Sequence, residues 1–301
     1  MIMSFITYLD PSLMNDAIAA ARRAYAEELL FTTHMRSPAL LAAFASVPRE
    51  RFLGPGPWRV RSDWDFAAGY WTTADADPRH VYHDVLIALD ESLGLNNGRP
   101  ALWAFLLDRL NIAPNESVIH LGCGAGYYTA ILAELVGPRG RVTALDIHQE
   151  IAAKARRALS GYDQVAVEHA DGAKAFLTPA DVIVASAGAT HPLPGWLAVL
   201  KVGGRLLFPM TPTQGHGGML LIQRLGEQEL SARFLCGAAF YEFSGARDPE
   251  ISARLTAAIA RDRGAGVKSL RCDAHAEDET CWLHGEGWCL SRTPLPEGSA
   301  A

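Results

Sequence analysis

Nowhere in these 301 residues do lysine and arginine gather into a stripe or a long run: 27 basic residues face 33 acidic ones, and the formal net charge is -6. That balance excludes the electrostatic footprint of a nucleic-acid binder. Long apolar runs are missing as well, since no stretch approaches the roughly 20 apolar residues that a membrane span requires. The opening segment, Met1 to Met14, is apolar but has no basic start, and Asp10 and Pro11 interrupt it before a secretory apolar region can form. A soluble cytoplasmic protein with neither membrane nor nucleic-acid partner is expected. Cysteine is scarce and odd in number, at five, so a disulfide framework is not what organises the chain. No histidine and carboxylate stand out as a hydrolytic dyad.

What is present is a nucleoside cradle. Val118, Ile119 and Leu121 read as a short buried strand, and Tyr127 to Val136 as a helix with an apolar face. Gly122, Gly124 and Gly126 lie between them with Cys123, in a turn that brings backbone close to a ligand where a Cβ would clash. After Gly140, the run Arg141 to Asp146 reads as a second strand ending on a carboxylate placed to accept hydrogen bonds from both ribose hydroxyls. Dinucleotide enzymes space their glycines to bring a pyrophosphate onto the helix N-terminus. Here the third glycine falls one residue early, Tyr127 takes its place, and no basic residue lies in the turn. This favours a ligand without phosphate, of which S-adenosyl-L-methionine is the common one, over the nicotinamide of an oxidoreductase.

The alternation continues. Asp163 to His169 reads as a third strand followed by Asp171-Gly172, Val182 to Ser186 as a fully apolar strand, Leu193 to Leu200 as a short helix, and Arg205 to Pro209 and Met219 to Arg224 as further strands. Such a pattern makes an α/β, doubly wound Rossmann-like mixed sheet, which binds ligands beyond the carboxyl ends of its strands. Gly122, Asp146, Asp171 and Ser186 all fall at those ends. Three parts are expected: residues 1-110, a helical region with a covering loop over Gly54 to His80; residues 111-228, the cofactor-binding core; and residues 229-301, a small α+β extension. Helices are expected over Met14 to Leu30, Ala39 to Val47 and Pro100 to Leu110.

The extension reads as a strand from Arg233 to Phe243, a helix from Pro249 to Arg261 and a Trp-Cys hairpin turning at Gly285-Glu286-Gly287. It either extends the sheet, closes over the substrate or forms a homodimer contact, and exposed tryptophans would favour the last. Cys272, His275, Cys281, His284 and Cys289 include two C-x-x-H pairs, a spacing able to hold zinc. Trp282, Leu283 and Trp288 interleave them with strand-like alternation, so half-buried hairpin residues are expected there and no metal.

Taken together, VIHLGCGAGYYTAIL, HADGAKAF, DVIVASAGA and LAVLKVGGRLLFPM resemble the successive motifs of class I S-adenosylmethionine-dependent methyltransferases. With VPRERF at Val47 to Phe52 and VYHD at Val81 to Asp84, they are most similar to protein-L-isoaspartate O-methyltransferases, over roughly Ala39 to Leu225. The resemblance implies O-methyl transfer from S-adenosyl-L-methionine, with S-adenosyl-L-homocysteine as product. It implies that Gly122, Cys123, Gly124 and Gly126 pass beside the methionine moiety, that Asp146 holds the ribose, and that Ile147 flanks the adenine. Asp171 and Gly172 would meet the adenine amine, and Ser186 would border the sulfonium and the acceptor.

The family's Thr-Ile-Ser-Gln-Pro-like segment corresponds to Asn96-Asn97-Gly98-Arg99-Pro100, so its serine becomes Gly98. That change implies an altered acceptor: a carboxylate on a peptide, a protein or a small molecule, with Asn97 and Arg99 as candidate clamp residues. It also leaves room for a chain that binds the cofactor without catalysis. A carboxylate, with a pKa of about 4, needs no general base. A hydroxyl acceptor would need one, and His83, His120, His191 and His216 are candidates, with His191 the best placed.

Overall fold

The computed structural model describes residues 11-62 and 64-296, so the opening residues up to Asp10 lie outside the described residues. The chain forms two compact units, one ending at Arg109 and one beginning at Leu110.

In the first unit, α1 (Pro11–Thr33) and α2 (Pro38–Ser46) are the expected helices. Ser37 caps α2 by accepting from the Leu40 N–H, Pro38 opens its first turn, and Leu40, Ala43 and Phe44 form its buried side. Val47, the residue before Pro48, is extended, as the proline ring requires. The loop region and the residues after it also carry a small antiparallel sheet that the sequence pattern did not announce. Its strands are β1 (Arg59–Arg61), β2 (Trp71–Thr72), β3 (Leu86–Asp90) and β4 (Leu95–Asn96), in the order β2-β1-β3-β4. Strands of two to five residues are too short to display a period of two. The segment ends in α3 (Pro100–Leu110), again with proline at its start.

The second unit is built on one ten-stranded sheet. Five strands are parallel: β5 (Ser117–Leu121), β6 (Arg141–Asp146), β7 (Val165–His169), β8 (Ala180–Ala185) and β9 (Leu200–Met210), in the spatial order β7-β6-β5-β8-β9. The chain runs outward from β5 through β6 to β7 and then returns to the other side of β5 at β8, so the strand order reverses between β5 and β8. That reversal is where doubly wound sheets bind ligands. Between β5 and β6, α4 (Tyr127–Val136) is buried almost all round; between β6 and β7, α5 (Gln149–Ala158) buries only Ile151, Ala152 and Ala155. The β7 to β8 connection carries no helix, and the sheet face there holds a cavity of about 530 Å³ lined by Thr143, Leu145, Val165 and Phe176. A short α6 (Pro194–Val199) precedes β9.

The sheet then continues antiparallel. β10 (Gly217–Arg224) pairs with β9 and with β11 (Leu230–Ala238), so the junction expected near residue 228 lies in the link between two paired strands. After α7 (Pro249–Asp262), capped by Asp248, come β12 (Ser269–Arg271), β13 (Cys281–Gly285) and β14 (Trp288–Ser291), in the order β11-β12-β14-β13. The tail therefore extends the sheet. Trp282 and Trp288 are buried within it, so the exposure that would have marked them as a homodimer contact is not there.

Candidate active site

The glycine turn is built as its composition demands. Gly122, Gly124 and Gly126 have φ of +71°, +56° and +96°, the left-handed region where a side chain is strained. The turn is pinned to β6 through its backbone: the Gly122 and Cys123 N–H groups donate to the Leu145 carbonyl at 2.8 and 3.0 Å. A Cβ on Gly122 would have nothing nearer than Ala187 and Ser186 at 3.9 Å, so it is backbone conformation that calls for glycine there.

Asp146 ends β6 facing this turn. Its Oδ2 accepts the Gly124 N–H at 2.9 Å and its Oδ1 the His148 N–H at 3.0 Å. Burial pushes the carboxyl above its ordinary range, and the two backbone donors only partly offset that. A buried carboxylate held by neutral backbone donors retains acceptor capacity for further hydroxyls. Beside it Ile147 is 41% exposed, an isolated apolar surface next to the polar anchor. A cradle of backbone, a carboxylate and an adjoining apolar face fit a nucleoside without phosphate.

Asp171 and Gly172 follow β7. Asp171 Oδ1 accepts the Ala173 N–H at 2.9 Å and Oδ2 faces Lys174 Nζ at 3.3 Å, while the Gly172 carbonyl accepts from Trp196 Nε1 at 2.9 Å. Ser186, at the end of β8, donates its backbone N–H to the Leu121 carbonyl, which sets it beside the end of β5. Its Oγ lies 2.8 Å from His120 Nε2, and the other ring nitrogen of His120 lies 2.9 Å from Thr129 Oγ1 on α4. One buried imidazole thus ties the strand before the turn to the helix after it and to the neighbouring strand end.

Burial lowers the His120 ring to about 4. Between that value and the ordinary 6.5 the unfolded chain binds a proton that the folded chain refuses, so the contribution is complete above pH 6.5 and is lost as pH falls towards 4. Integrated over that window the loss is about 3 kcal/mol. Denaturant unfolding across it should show the parent protein losing more stability on acidification than a His120→Gln variant, and parallel pH profiles would refute the assignment.

His191 lies just past the bridge that Ala189 forms with Met210. Its Nδ1 is 2.9 Å from Thr190 Oγ1, its ring stacks on Trp288 at 6.1 Å and 13°, and burial pushes its pKa down. The tail reaches this region too. The stretch between β11 and α7 crosses the strand ends: Gly188 N–H donates to the Tyr241 carbonyl, Phe243 N–H donates to the Gly188 carbonyl, and Arg247 Nη1 donates to the Gly188 and Thr211 carbonyls, both at 2.8 Å. The sequence pattern gave no sign of this wall, because its contacts link residues some 35 to 60 positions apart.

Asn97, Gly98 and Arg99 belong to the first unit. Asn97 is buried; its Oδ1 accepts from Arg49 Nε at 3.2 Å and its N–H donates to the Ile87 carbonyl. Gly98 has φ +72° and donates to Asn96 Oδ1 at 2.8 Å, so the backbone at the family's serine position is a tight left-handed turn. Arg99 Nε faces Asp84 Oδ2 at 2.8 Å. Arg49, inside the VPRERF run, is wholly buried, a placement that the local pattern of that run does not reveal.

The protein-L-isoaspartate(D-aspartate) O-methyltransferase family model matches residues 73–246. Protein-L-isoaspartate O-methyltransferase of Rhodopseudomonas palustris is 30% identical over 237 residues, spanning 76% of this chain and 95% of the relative. That of Methanothermobacter thermautotrophicus is 28% identical over 229 residues, spanning 74% and 95%. Among solved structures, a protein-L-isoaspartate O-methyltransferase superposes with a TM-score of 0.62 at 21% identity over 80% of this chain and 69% of its own. A Plasmodium falciparum protein described as a protein-L-isoaspartate O-methyltransferase, in complex with S-adenosyl-L-homocysteine, gives 0.59 at 15% identity over 74% and 98%. No helix among the described residues is long and apolar enough to cross a membrane.

Proposed function

The chain belongs to the protein-L-isoaspartate(D-aspartate) O-methyltransferase family and is an S-adenosyl-L-methionine-dependent O-methyltransferase, and we propose that its acceptor is a carboxylate of a protein or peptide, with the isoaspartyl carboxylate as the first to be tested. The observation that carries this reading is the state of the two histidines next to the strand ends. His120 is held near 4, too weak a base to ionise a hydroxyl, and both its ring nitrogens face hydroxyls; His191 is lowered by burial and stacked on Trp288. Such a site favours an acceptor that arrives already as an anion. A carboxylate does so at neutral pH.

When bound, S-adenosyl-L-methionine supplies a methyl group on a positively charged sulfur. The acceptor oxygen forms the new C–O bond as the C–S bond breaks, and the bonding pair returns to sulfur, giving a methyl ester and S-adenosyl-L-homocysteine. The chain's own part is placement, and holding two reactants in line accounts for about 7–11 kcal/mol in well-oriented intramolecular models. In this reading Asp146 accepts the ribose hydroxyls, Ile147 covers the adenine, Asp171 and Gly172 bracket its amine, and the Gly122 to Gly126 backbone lines the methionine chain. Ser186, with its hydroxyl fixed by His120, borders the transfer position. The five free cysteines suit a reducing compartment such as the cytoplasm.

Incubation with methyl-labelled S-adenosyl-L-methionine and an isoaspartyl peptide, alongside the same peptide with ordinary aspartate, tests the reading. Label should enter the isoaspartyl peptide and leave as volatile methanol in mild base. Base-stable label on the peptide would overturn the carboxylate assignment, and equal labelling of both peptides would overturn the preference for isoaspartate.

A further inference from the structure

The tail holds a cluster with no part in methyl transfer. His275, Cys281, His284 and Cys289 bring one ligand atom each to within 4.8 Å of one another. Cys281 Sγ is 3.6 Å from His275 Nε2 and 3.9 Å from His284 Nδ1. In a tetrahedron with metal bonds of about 2.3 Å to sulfur and 2.0–2.1 Å to nitrogen, sulfur and nitrogen ligands stand roughly 3.6 Å apart. We propose that these four side chains form a structural zinc site of the Cys₂His₂ type.

The surroundings of the ligands are arranged for it. His275 Nδ1 lies 2.9 Å from the Asp273 carbonyl and is the donor in that contact, which leaves the lone pair of Nε2 on the side facing Cys281. Metal-bound histidines are oriented in this way by a carbonyl or carboxylate behind the ring. The Asp278 N–H points at Cys281 Sγ from 3.4 Å, a donor that favours the thiolate. Both cysteines are buried and both histidines half-buried. With two thiolates and two neutral imidazoles the bound ion is electrically balanced, so burial costs far less than it would for an isolated charge. All four positions are filled by protein, which marks a structural site rather than one that activates water.

The sequence placed two C-x-x-H pairs here, and the fold uses only one of them. Cys272 is exposed and outside the cluster; Cys289 enters instead because β13 and β14 pair His284 opposite Cys289. The site would fasten the irregular stretch between β12 and β13 onto the last hairpin, whose β13 is the edge strand of the sheet. That hairpin also carries Trp288, which stacks on His191 beside the strand ends.

The test uses the full chain, free of any metal-affinity tag and purified without chelator. Plasma mass spectrometry should find stoichiometric zinc. Replacement by cobalt should give the visible bands of a tetrahedral ion with a thiolate charge-transfer band, and a chelator should lower the melting temperature. Cys289→Ser and His275→Ala should each lose bound metal or shift the cobalt bands, while Cys272→Ser retains both. If a variant fails to fold, the zinc content and chelator response of the parent protein still decide. Absence of zinc after incubation with the ion, cobalt bands that neither variant alters, or a Cys281–Cys289 disulfide found by non-reducing peptide mapping would each overturn the proposal.

Discussion

Asp146→Ala should weaken binding of S-adenosyl-L-homocysteine by on the order of 10²–10⁴-fold, since two charge-assisted hydrogen bonds of about 1.5–3 kcal/mol each would be lost. Asp146→Asn should do little better. The carboxylate presents acceptors to two backbone donors, Gly124 N–H and His148 N–H, whereas an amide must turn its NH₂ towards one of them. The effect on the ligand-free fold should be much smaller, and the sign of the pKa shift explains why. Burial raises the Asp146 pKa, so its contribution to stability is full only below the ordinary carboxylate range and is lost as pH rises through the raised value. The ionised form of Asp146 is thus one that the fold holds less readily than the neutral acid. Removing it orphans two N–H groups but relieves that desolvation. Calorimetric titration and thermal unfolding with and without ligand separate the two effects: the ligand-induced rise in Tm should vanish while the ligand-free Tm moves little. An affinity equal to that of the parent protein would remove Asp146 from the donor site.

The parts of this protein written in local pattern were legible, and the parts that depend on distant pairing were not. The strand residues Val182 to Ala185, all buried, need apolar residues in succession, and the helix from Tyr127 to Val136, buried nearly all round, needs the same. Such runs reveal themselves within ten residues. The turn at Gly122 to Gly126 was legible for a different reason, because left-handed backbone selects glycine. The two- to five-residue strands between Arg59 and Asn96 gave no period to detect. Nor could sequence show that Tyr241 to Arg247 would cross the strand ends, since that follows from the return of the tail to the sheet. Asn97 illustrates the same limit on a single residue. Its place in a polar segment gives no sign that its amide oxygen accepts from Arg49, 48 positions earlier in the chain.

That commitment leads to the largest stability effect expected in the molecule. Arg49→Met should destabilise the first unit by about 3–5 kcal/mol, because it leaves several buried carbonyl and amide acceptors without their charged donor. The Arg49 guanidinium is wholly buried and donates to the carbonyls of Val81, His83 and Val85 at 2.8–2.9 Å and to Asn97 Oδ1 at 3.2 Å, with the Tyr25 ring 5.9 Å away. Methionine fills much of the same volume but donates nothing, leaving three main-chain carbonyls and an amide without this donor. Lysine keeps the charge yet gathers its donors on one atom, so it cannot span acceptors that a planar fork reaches from three nitrogens. Arg49→Lys should therefore fall between the parent and Arg49→Met. Because the chain has two compact units, a single melting temperature does not report where the loss occurs. Hydrogen exchange does. The Asn97 amide, bonded to the Ile87 carbonyl, should lose protection in Arg49→Met, whereas the amides of Ser117 to Leu121 and Arg141 to Asp146 should exchange as in the parent. If protection around Val81 to Asn97 survives the substitution, Arg49 is not what holds that segment, and the shape of the loop leading to Pro100 must be sought in the Asp84 pairing with Arg99 and the Ala101 N–H instead.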